Sequence, residues 1–381
     1  MKIICEQKDL EKSLSLVKSA VADRPTHPVL GCVLMTAKLD EVTLTGFDLS
    51  IGIQSSFAAE VLSEGAIAIP SKLLGGVASK LPNGELTIET TEEKGENPGV
   101  SISIKYKGGK SRLQCMYPDE FPEFTIISPE VTVEIPSGDL TKALSAVPFA
   151  ASPDETKQIL NGVNFAVIGD ELNLAATDGH RLTIAAIATS SSTKDYSLTF
   201  LAKHVKELEK ILKQTDELTT KIEMASGYVS YNHGGVVFVS RTLEGGYPEY
   251  KKLVPSAFKR HIQCDRLALI KATERVAILS DKNIVKIIMS NPSQEIELTS
   301  EAEIGSGSEI LSTQISDSDL LKEEDELTAI AFNAKYLLDG LKALTSTDIL
   351  IAMSGEKTPA IITPVDESKT TYLLMPVQIR T

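Results

Sequence analysis

The sequence lacks the features that mark several large classes of protein. Its 381 residues include four cysteines, and no two of them form a Cys-x-x-Cys pair, so neither a zinc site nor a disulfide framework is predicted. No apolar run approaches the length that spans a bilayer, and residues 1–18 do not follow the order of a signal peptide. We therefore expect a cytoplasmic protein with no membrane partner.

Signature motifs of common enzymes are also missing. The sequence contains no HExxH, no GxxxxGK[ST] and no GxGxxG motif that follows a predicted strand. The acidic run at 323–326 is typical of a solvated loop rather than of a divalent-cation site. Four histidines are too far apart in the sequence to suggest a metal-ligand set: His27, His204, His233 and His261. We therefore expect no metal, and the missing nucleotide-binding motifs give no reason to expect a cofactor.

Positive charge is in deficit. The chain has 38 Lys and Arg against 52 Asp and Glu, a formal net charge of −14. Since proteins bind phosphates through Lys and Arg, this sum argues at first against a nucleic-acid partner. A protein can nevertheless confine its basic residues to one face and keep the rest of its surface acidic. The positions of the basic residues therefore matter more than their number.

What the sequence does contain is a threefold internal repeat. Residues 9–17 read DLEKSLSLV, and 130 positions later residues 139–147 read DLTKALSAV, with six of nine residues identical. A lysine at the start of a predicted helix recurs at Lys72, Lys203 and Lys335. An aromatic-Pro-Glu-aromatic motif occurs at 121–124 and 247–250, each time shortly before a new repeat. We therefore divide the chain into three similar domains: 1–128, 129–256 and 257–381.

Each repeat has the pattern of a small α+β domain. A helix comes first, with Leu10, Leu14 and Val17 at helical spacing. Strands follow, and in the second repeat apolar and polar residues alternate on both sides of Asp178-Gly179, as in a hairpin with a tight turn. The predicted fold class is α+β, with three tandem domains that pack helices on one face of antiparallel sheet. The third repeat begins with only a loose echo of the first helix, at 265–267.

The helix predicted to begin at Leu201 has two contrasting faces. Leu201, Val205, Leu208 and Leu212 fall on one arc, and Lys203, Lys206, Lys210 and Lys213 fall on the opposite arc. An ordinary solvated face would also explain such a charge run. Repetition favours contact with DNA, because Lys335 and Lys342 share a face in the third domain and Lys72 begins a similar helix in the first. If DNA is bound, duplex DNA is favoured over single-stranded DNA, because no element offers the aromatic platform typical of proteins that bind single strands.

The segment Thr177–Leu182 allows two interpretations. A hydrolase would use His180 as general base, oriented by Asp178, with Arg181 nearby. A recognition surface at the end of a hairpin is the other interpretation, because Asp178 and Gly179 are ordinary turn residues and no nucleophile elbow is present. A monomeric repeat scaffold that binds only proteins is a further hypothesis for the whole chain.

Four segments resemble the beta sliding clamps of bacterial DNA polymerase III: residues 160–163 (LNGV), 176–182 (ATDGHRL), 247–250 (YPEY) and 372–377 (YLLMPV). Together with the repeat, the resemblance covers all three domains in order. It implies a clamp fold and a head-to-tail homodimeric ring, with sheets outside and helices lining the hole. It further implies a processivity factor without catalysis, which encircles duplex DNA independently of sequence and is bound by the replicative polymerase, the clamp loader and other clamp-binding proteins.

The resemblance also implies sites. Arg24 matches a DNA-facing arginine, Lys72 and Lys203 fall near similar positions, and Lys206 and Lys210 continue the lysine face. Ile278 and Leu279 match an apolar pair at the dimer interface. The last residues, 378–381, depart from the family pattern. Partner proteins are expected to insert short, extended, partly apolar peptides into a pocket formed by Leu160, Thr177, Gly179, His180, Arg181, Leu182, Pro248, Leu253, Leu374, Met375, Pro376 and Val377.

Overall fold

The computed structural model describes residues 1–93, 99–124, 128–189, 194–303, 305–319, 328–365 and 369–378. The acidic run at 323–326 and residues 379–381 lie outside these ranges. The chain forms two compact units, unit 1 (Met1–Glu134, Lys210–Glu217 and Lys221–Thr242) and unit 2 (Ile135–Glu209, Leu218–Thr220 and Leu243–Thr381). The α-helices in the described ranges are α1 (Gln7–Val17), α2 (Ser71–Ala78), α3 (Ser137–Ala146), α4 (Ala202–Leu212), α5 (Arg266–Ala277) and α6 (Ala334–Ala343).

Most of the remaining structure is β-strand. The strands up to residue 188 are β1 (Lys2–Glu6), β2 (Cys32–Lys38), β3 (Glu41–Phe47), β4 (Ile51–Ala58), β5 (Glu60–Ser63), β6 (Gly65–Pro70), β7 (Glu85–Glu93), β8 (Gly99–Tyr106), β9 (Gly109–Cys115), β10 (Val131–Pro136), β11 (Gly162–Ile168), β12 (Glu171–Thr177) and β13 (Arg181–Ala188). The later strands are β14 (Tyr196–Leu201), β15 (Thr219–Ala225), β16 (Tyr228–His233), β17 (Val236–Arg241), β18 (Arg260–Asp265), β19 (Ile284–Ser290), β20 (Glu295–Ala302), β21 (Gly305–Ser312), β22 (Gln314–Asp317), β23 (Ala329–Asn333), β24 (Asp348–Met353), β25 (Ala360–Pro364) and β26 (Thr370–Leu374).

The helices form where the apolar spacing predicted them. Leu10, Leu14 and Val17 are buried along α1, and each such side chain contributes about 1.5–3 kcal/mol when it leaves water. In α4, Val205 and Leu208 are likewise buried. Leu201 is instead the last residue of β14, where it pairs with Gly162 of β11. No helix in the described ranges has the length and apolar content to cross a membrane.

The repeat is visible in the element boundaries. Strands β2, β3 and β4 begin and end 130 residues before β11, β12 and β13, and α2 begins 131 residues before α4. The turns match as well. Asp48 Oδ1 accepts hydrogen bonds from the backbone N–H of Ser50 and Ile51, at 2.9 and 2.8 Å. Asp178 Oδ1 makes the same pair of bonds in the second repeat. The first two repeats expected from the sequence are therefore confirmed as similar α+β units.

The first helix of the third repeat is better formed than the sequence suggested. Asp265 caps α5, with its side chain accepting a hydrogen bond from the backbone N–H of Ala268 at 2.6 Å. Such a cap stabilises a helix by about 1 kcal/mol because it satisfies an otherwise unpaired donor. The helix then runs for twelve residues, with Leu269 and Val276 buried.

Unit 1 contains a five-stranded sheet with the strand order β5-β1-β7-β8-β9, and most of an eight-stranded sheet with the order β10-β15-β16-β17-β4-β3-β2-β6. Unit 2 contains a nine-stranded sheet with the order β14-β11-β12-β13-β26-β25-β24-β18-β22 and a four-stranded sheet with the order β21-β20-β19-β23. Neighbouring strands run antiparallel, as in β12 and β13, where Glu171 lies opposite Ala188. The nine-stranded sheet positions the candidate site, because it places β13 beside the C-terminal strand β26.

Candidate partner-binding site

The site begins at the turn between β12 and β13. Asp178 Oδ1 accepts hydrogen bonds from the backbone N–H of His180 at 2.9 Å and of Arg181 at 3.1 Å. Gly179 adopts a φ of 95°, a conformation that side chains disfavour, and its N–H donates to Thr177 Oγ1 at 3.1 Å. The Thr177 hydroxyl in turn donates to the carbonyl of Arg181 at 2.6 Å. The turn is therefore fixed by its own side chains, and it presents His180 to solvent.

Arg181 holds this turn against the rest of unit 2. Its side chain is only 8% exposed, and its Nε donates to Asp178 Oδ2 at 3.0 Å. The two terminal nitrogens donate to Asp339 Oδ2 at 2.7 Å and to the carbonyl of Phe149 at 2.9 Å. The guanidinium also lies 4.4 Å from the centre of the Tyr336 ring. Burial acts to lower the pKa of Arg181, but the bond to Asp339 and the neighbouring charges raise it above its ordinary value.

The C-terminal segment forms the second side of the site. Strand β26 pairs with β13 so that Leu374 lies opposite Arg181. The chain then continues past His180, whose carbonyl accepts a hydrogen bond from the N–H of Met375 at 3.0 Å. Val377 is anchored by a backbone bond to Ala331 at 2.8 Å. Leu374 is fully buried, whereas Met375 is 40% exposed, so the segment adds an exposed thioether next to His180.

The aromatic-Pro-Glu-aromatic segment forms the third side. The Tyr247 hydroxyl accepts a hydrogen bond from the backbone N–H of Thr177 at 3.1 Å. Burial raises the pKa of Tyr247, so this hydroxyl stays neutral. Tyr250 packs in an apolar cluster with Leu182 and Leu373. These contacts bring the segment against both β13 and β26.

The structure brings most of the predicted pocket residues to one corner of unit 2. Thr177, Arg181, Leu182 and Leu374 are buried and support it, whereas His180, Pro248, Leu253 and Met375 are exposed around it. Pro376 and Val377 are half-buried beyond Met375. Leu160 is half-buried, and its backbone carbonyl accepts a hydrogen bond from the backbone N–H of Ser152.

The geometry does not support the hydrolase interpretation. Asp178 uses both carboxylate oxygens on backbone N–H groups and on Arg181, so it does not orient the imidazole of His180. That ring instead stacks on Tyr336, with 6.3 Å between ring centres and an angle of 24°. Among the described residues, no cluster of three or more His, Cys, Asp and Glu side chains has the arrangement of a metal site.

Comparison with known proteins assigns the family. Residues 1–124, 134–249 and 251–378 match the N-terminal, central and C-terminal domains of the DNA polymerase III beta subunit. The chain is 38% identical to the beta sliding clamp of Synechocystis sp. and 36% identical to that of Synechococcus elongatus, with all of each chain covered. The chain belongs to the DNA polymerase III beta subunit family. As a member it is a sliding clamp, a processivity subunit with no catalytic activity of its own.

Solved structures agree with this assignment. The sliding clamp of Bacillus subtilis, 27% identical, matches over the whole of both chains with a TM-score of 0.89. A Pseudomonas aeruginosa clamp whose structure contains griselimycin is 24% identical and matches with a TM-score of 0.90 over both whole chains, which supports the fold. Three-domain clamp architecture is therefore established for this beta subunit.

The predicted DNA-facing residues are exposed in this clamp. Arg24 follows Asp23, and Lys72 Nζ lies 3.7 Å from the Asp23 carboxylate, so the first two basic residues lie close together in unit 1. Lys203, Lys206 and Lys210 are exposed along α4 on the side opposite its buried residues. For the interface pair, Ile278 is 79% exposed just after α5. Leu279 is half-buried near Gly307 of β21.

Sequence reasoning missed the residues that hold the pocket in place. Tyr336, Asp339 and Phe149 contact His180 or Arg181, but none was assigned to the site. A partial signal existed, since Tyr336 directly follows the repeated lysine at the start of a helix, and Asp339 lies one turn later on α6. Tyr247 was noted in the repeat-boundary motif and in a segment that resembles the family, but it was not assigned to the pocket, although its hydroxyl contacts Thr177.

Proposed function

We propose that the chain closes as a head-to-tail homodimer around duplex DNA in the cytoplasm, and that it tethers the replicative polymerase, the clamp loader and other DNA-processing proteins. The observation that carries the proposal is the match of all three domains to the beta subunit family over the full chain. We place the domain boundaries at 128/129 and 256/257, where the aromatic-Pro-Glu-aromatic motifs precede new repeats.

The mechanism follows from topology. Arg24, Lys72, Lys203, Lys206 and Lys210 contact phosphates weakly and without regard to sequence, so the ring slides. It does not dissociate from circular DNA, because the DNA passes through it. A polymerase bound to the ring then stays near its template at high effective concentration, which raises processivity without any catalysis by the clamp.

Two exposed features support dimerisation. The five-stranded sheet ends at β5 and β9, and the four-stranded sheet ends at β21 and β23. Strands at the edge of a sheet can pair with another chain. Ile278 exposes most of its apolar side chain close to the second of these sheets. Contact between two different surfaces closes into a ring only when the rotation per subunit fits, which the proposed head-to-tail dimer requires.

We assign partner binding to the pocket around His180 and Met375. Its exposed apolar residues, Met375, Leu253 and Pro248, lie beside the polar turn at Gly179 and His180. Such a mixture suits short extended peptides, since the apolar side chains bury anchors and the turn offers hydrogen bonds. A flexible methionine adapts to different partners. Leu160 completes the proposed pocket on the side of β11.

The decisive experiment compares retention on a nicked circular duplex and on the same DNA linearised. The protein is loaded with a clamp loader and ATP, and the complexes are isolated at a salt concentration that strips ordinary phosphate contacts. Retention on the circle with loss from the linear form is expected. Equal loss from both would favour the scaffold hypothesis, which also predicts a monomeric mass in solution.

Substitutions test the parts separately. Changing Lys203, Lys206 and Lys210 to Glu should lower loading on DNA about tenfold without unfolding the protein, because repulsion replaces phosphate contact. The matched control changes Lys38, Lys107 and Lys357, which are exposed lysines outside the helices. Equal effects of the two sets would contradict the assignment of α4. The short, partly apolar peptide Leu-Ser-Leu-Phe serves as a labelled probe of the kind of partner segment expected. His180→Ala should weaken its binding while the dimer mass stays unchanged.

A further inference from the structure

A second depression lies next to the proposed peptide pocket in unit 2. It has a volume of about 570 Å³ and lies over the ends of β11 and β14, bordered by residues 247–252. This volume is within the usual range for ligand sites, about 300–1,000 Å³. We call it the β14 groove; its lining includes Ala166, Ile168, Tyr196, Tyr247, Pro248 and Lys251.

The β14 groove and the proposed peptide pocket meet at Tyr247 and Pro248. The Tyr247 hydroxyl accepts a hydrogen bond from Thr177 of the pocket, while the same residue lines the groove. Pro248 was assigned to the pocket and also lines the groove. A peptide bound in the pocket that continues past Pro248 would therefore reach the groove.

The groove offers a place for an apolar side chain. Ile168, at the end of β11, is 46% exposed. The turn that follows it is held by a hydrogen bond from Gly169 N–H to Asp195 Oδ1 at 3.0 Å. Ile168 is thus an exposed apolar residue in a fixed position facing a concave surface, which is where binding of an apolar group gains most.

The border of the groove carries two carboxylates and two lysines, of which Lys251 is available to a ligand. Glu249 is paired with Lys252, and Asp195 is engaged by the Gly169 N–H. Lys251 is exposed, and within the part of the chain that the structure describes it forms no ion pair. One cation is therefore left to pair with an incoming carboxylate.

We infer that the β14 groove binds the flanking residues of a partner peptide, with one apolar side chain packed on Ile168 and Tyr247 and one carboxylate paired with Lys251. This inference rests on the proposed function of the adjoining pocket. The occupant is an extended apolar and acidic segment of a clamp-binding protein, continuous with the part that binds near His180. Partners with such a flank bind more tightly than partners that carry the core peptide alone.

The test uses fluorescence anisotropy with three labelled peptides on the full-length protein. The core peptide is Leu-Ser-Leu-Phe, and the other two extend it by Gly-Leu-Glu, one at each end. One of the two extensions should tighten binding about tenfold, as expected for burial of one leucine. Ile168→Ser and Lys251→Glu should remove most of this gain and leave the affinity for the core peptide unchanged.

Matched controls are Leu218→Ser, which changes another exposed apolar residue, and Lys357→Glu, which changes an exposed lysine elsewhere; both should keep the gain. If neither extension tightens binding, or if the gain survives both groove substitutions, the inference is wrong although the pocket stands. If the core peptide itself fails to bind wild type, or binds Leu182→Ser equally well, the proposed pocket is wrong and the groove has no peptide to extend.

Discussion

Replacing Arg181 with methionine tests how the binding corner is held together. Methionine has an unbranched side chain of similar reach but none of the five N–H donors of arginine. The change removes the cation from Asp178, whose side chain is 6% exposed, and from Asp339, whose side chain is 33% exposed. It also leaves the carbonyl of Phe149 without its donor.

The expected magnitude follows from these contacts. Removing one partner of a buried ion pair costs about 3–5 kcal/mol, because the other charge stays buried without compensation. The backbone N–H groups of the turn continue to donate to Asp178, so we expect the lower end, about 3 kcal/mol. For a cooperative unit of this size, each kcal/mol lowers the melting temperature by about 2–4 °C. Arg181→Met should therefore melt about 6–12 °C below wild type.

Scanning calorimetry measures this difference for the transition of unit 2. Arg181→Lys keeps the charge but cannot reach Asp178, Asp339 and Phe149 at once, so an intermediate loss is expected. Arg24→Met removes an exposed arginine and should cost no more than about 0.5 kcal/mol. If Arg181→Met melts as close to wild type as Arg24→Met does, the guanidinium does not stabilise the corner and the reasoning fails.

Three further predictions concern stability and reactivity. Arg260 lowers the pKa of Asp317 through a bidentate ion pair. The pair therefore stabilises the protein fully at pH values above the ordinary pKa of aspartate. This stabilisation is lost as the pH falls through the lowered pKa. Asp317→Asn should cost about 1 kcal/mol at pH 7 and progressively less as the pH falls below the ordinary pKa of aspartate, measured by urea unfolding. An equal cost at neutral and at strongly acidic pH would contradict this. Burial raises the pKa of Cys115 to about 11 and the pKa values of Cys5 and Cys264 to about 12. These thiols should therefore react with Ellman's reagent at pH 8 only after the protein unfolds, and rapid reaction of the native protein would refute this prediction. Gly340→Ala places a Cβ about 2.0 Å from the buried Tyr372 ring and should destabilise the protein by about 1–3 kcal/mol. Gly76→Ala lies in open space on α2 and should stabilise the protein by about 0.5 kcal/mol. Equal melting temperatures of the two variants would refute the packing argument.

Local patterns explain the parts of the fold that could be predicted. The alternation around Asp178-Gly179 and the spacing of Leu10, Leu14 and Val17 depend on neighbours within a few residues, and the structure has the hairpin and the helix there. The repeat extends such a local prediction to another part of the chain. Strands β12 and β13, and their counterparts β3 and β4, can therefore be predicted from the sequence.

The support of the site is not local. Arg181 and Asp339 are separated by 158 positions, and neither helical spacing nor strand alternation relates them. Burial of Arg181 is contrary to the usual exposure of arginine, so composition gives no signal of it. The β14 groove likewise depends on how residues 247–252 pack over two strands. Resemblance to the family suggested residues for the pocket, whereas the contacts of Tyr336, Asp339 and Tyr247 follow only from the folded structure.

The turns at Asp48 and Asp178 are held by the same hydrogen bonds but carry different residues. In both repeats an aspartate satisfies two backbone N–H groups and so shapes the turn by itself. The three positions after it carry Leu49, Ser50 and Ile51 in one repeat and Gly179, His180 and Arg181 in the other. Under the proposed function, Gly179, His180 and Arg181 contribute to the peptide pocket from a turn whose hydrogen bonds the first repeat also has. The same local fold can therefore carry a binding residue in one domain without any change in how the turn itself is held.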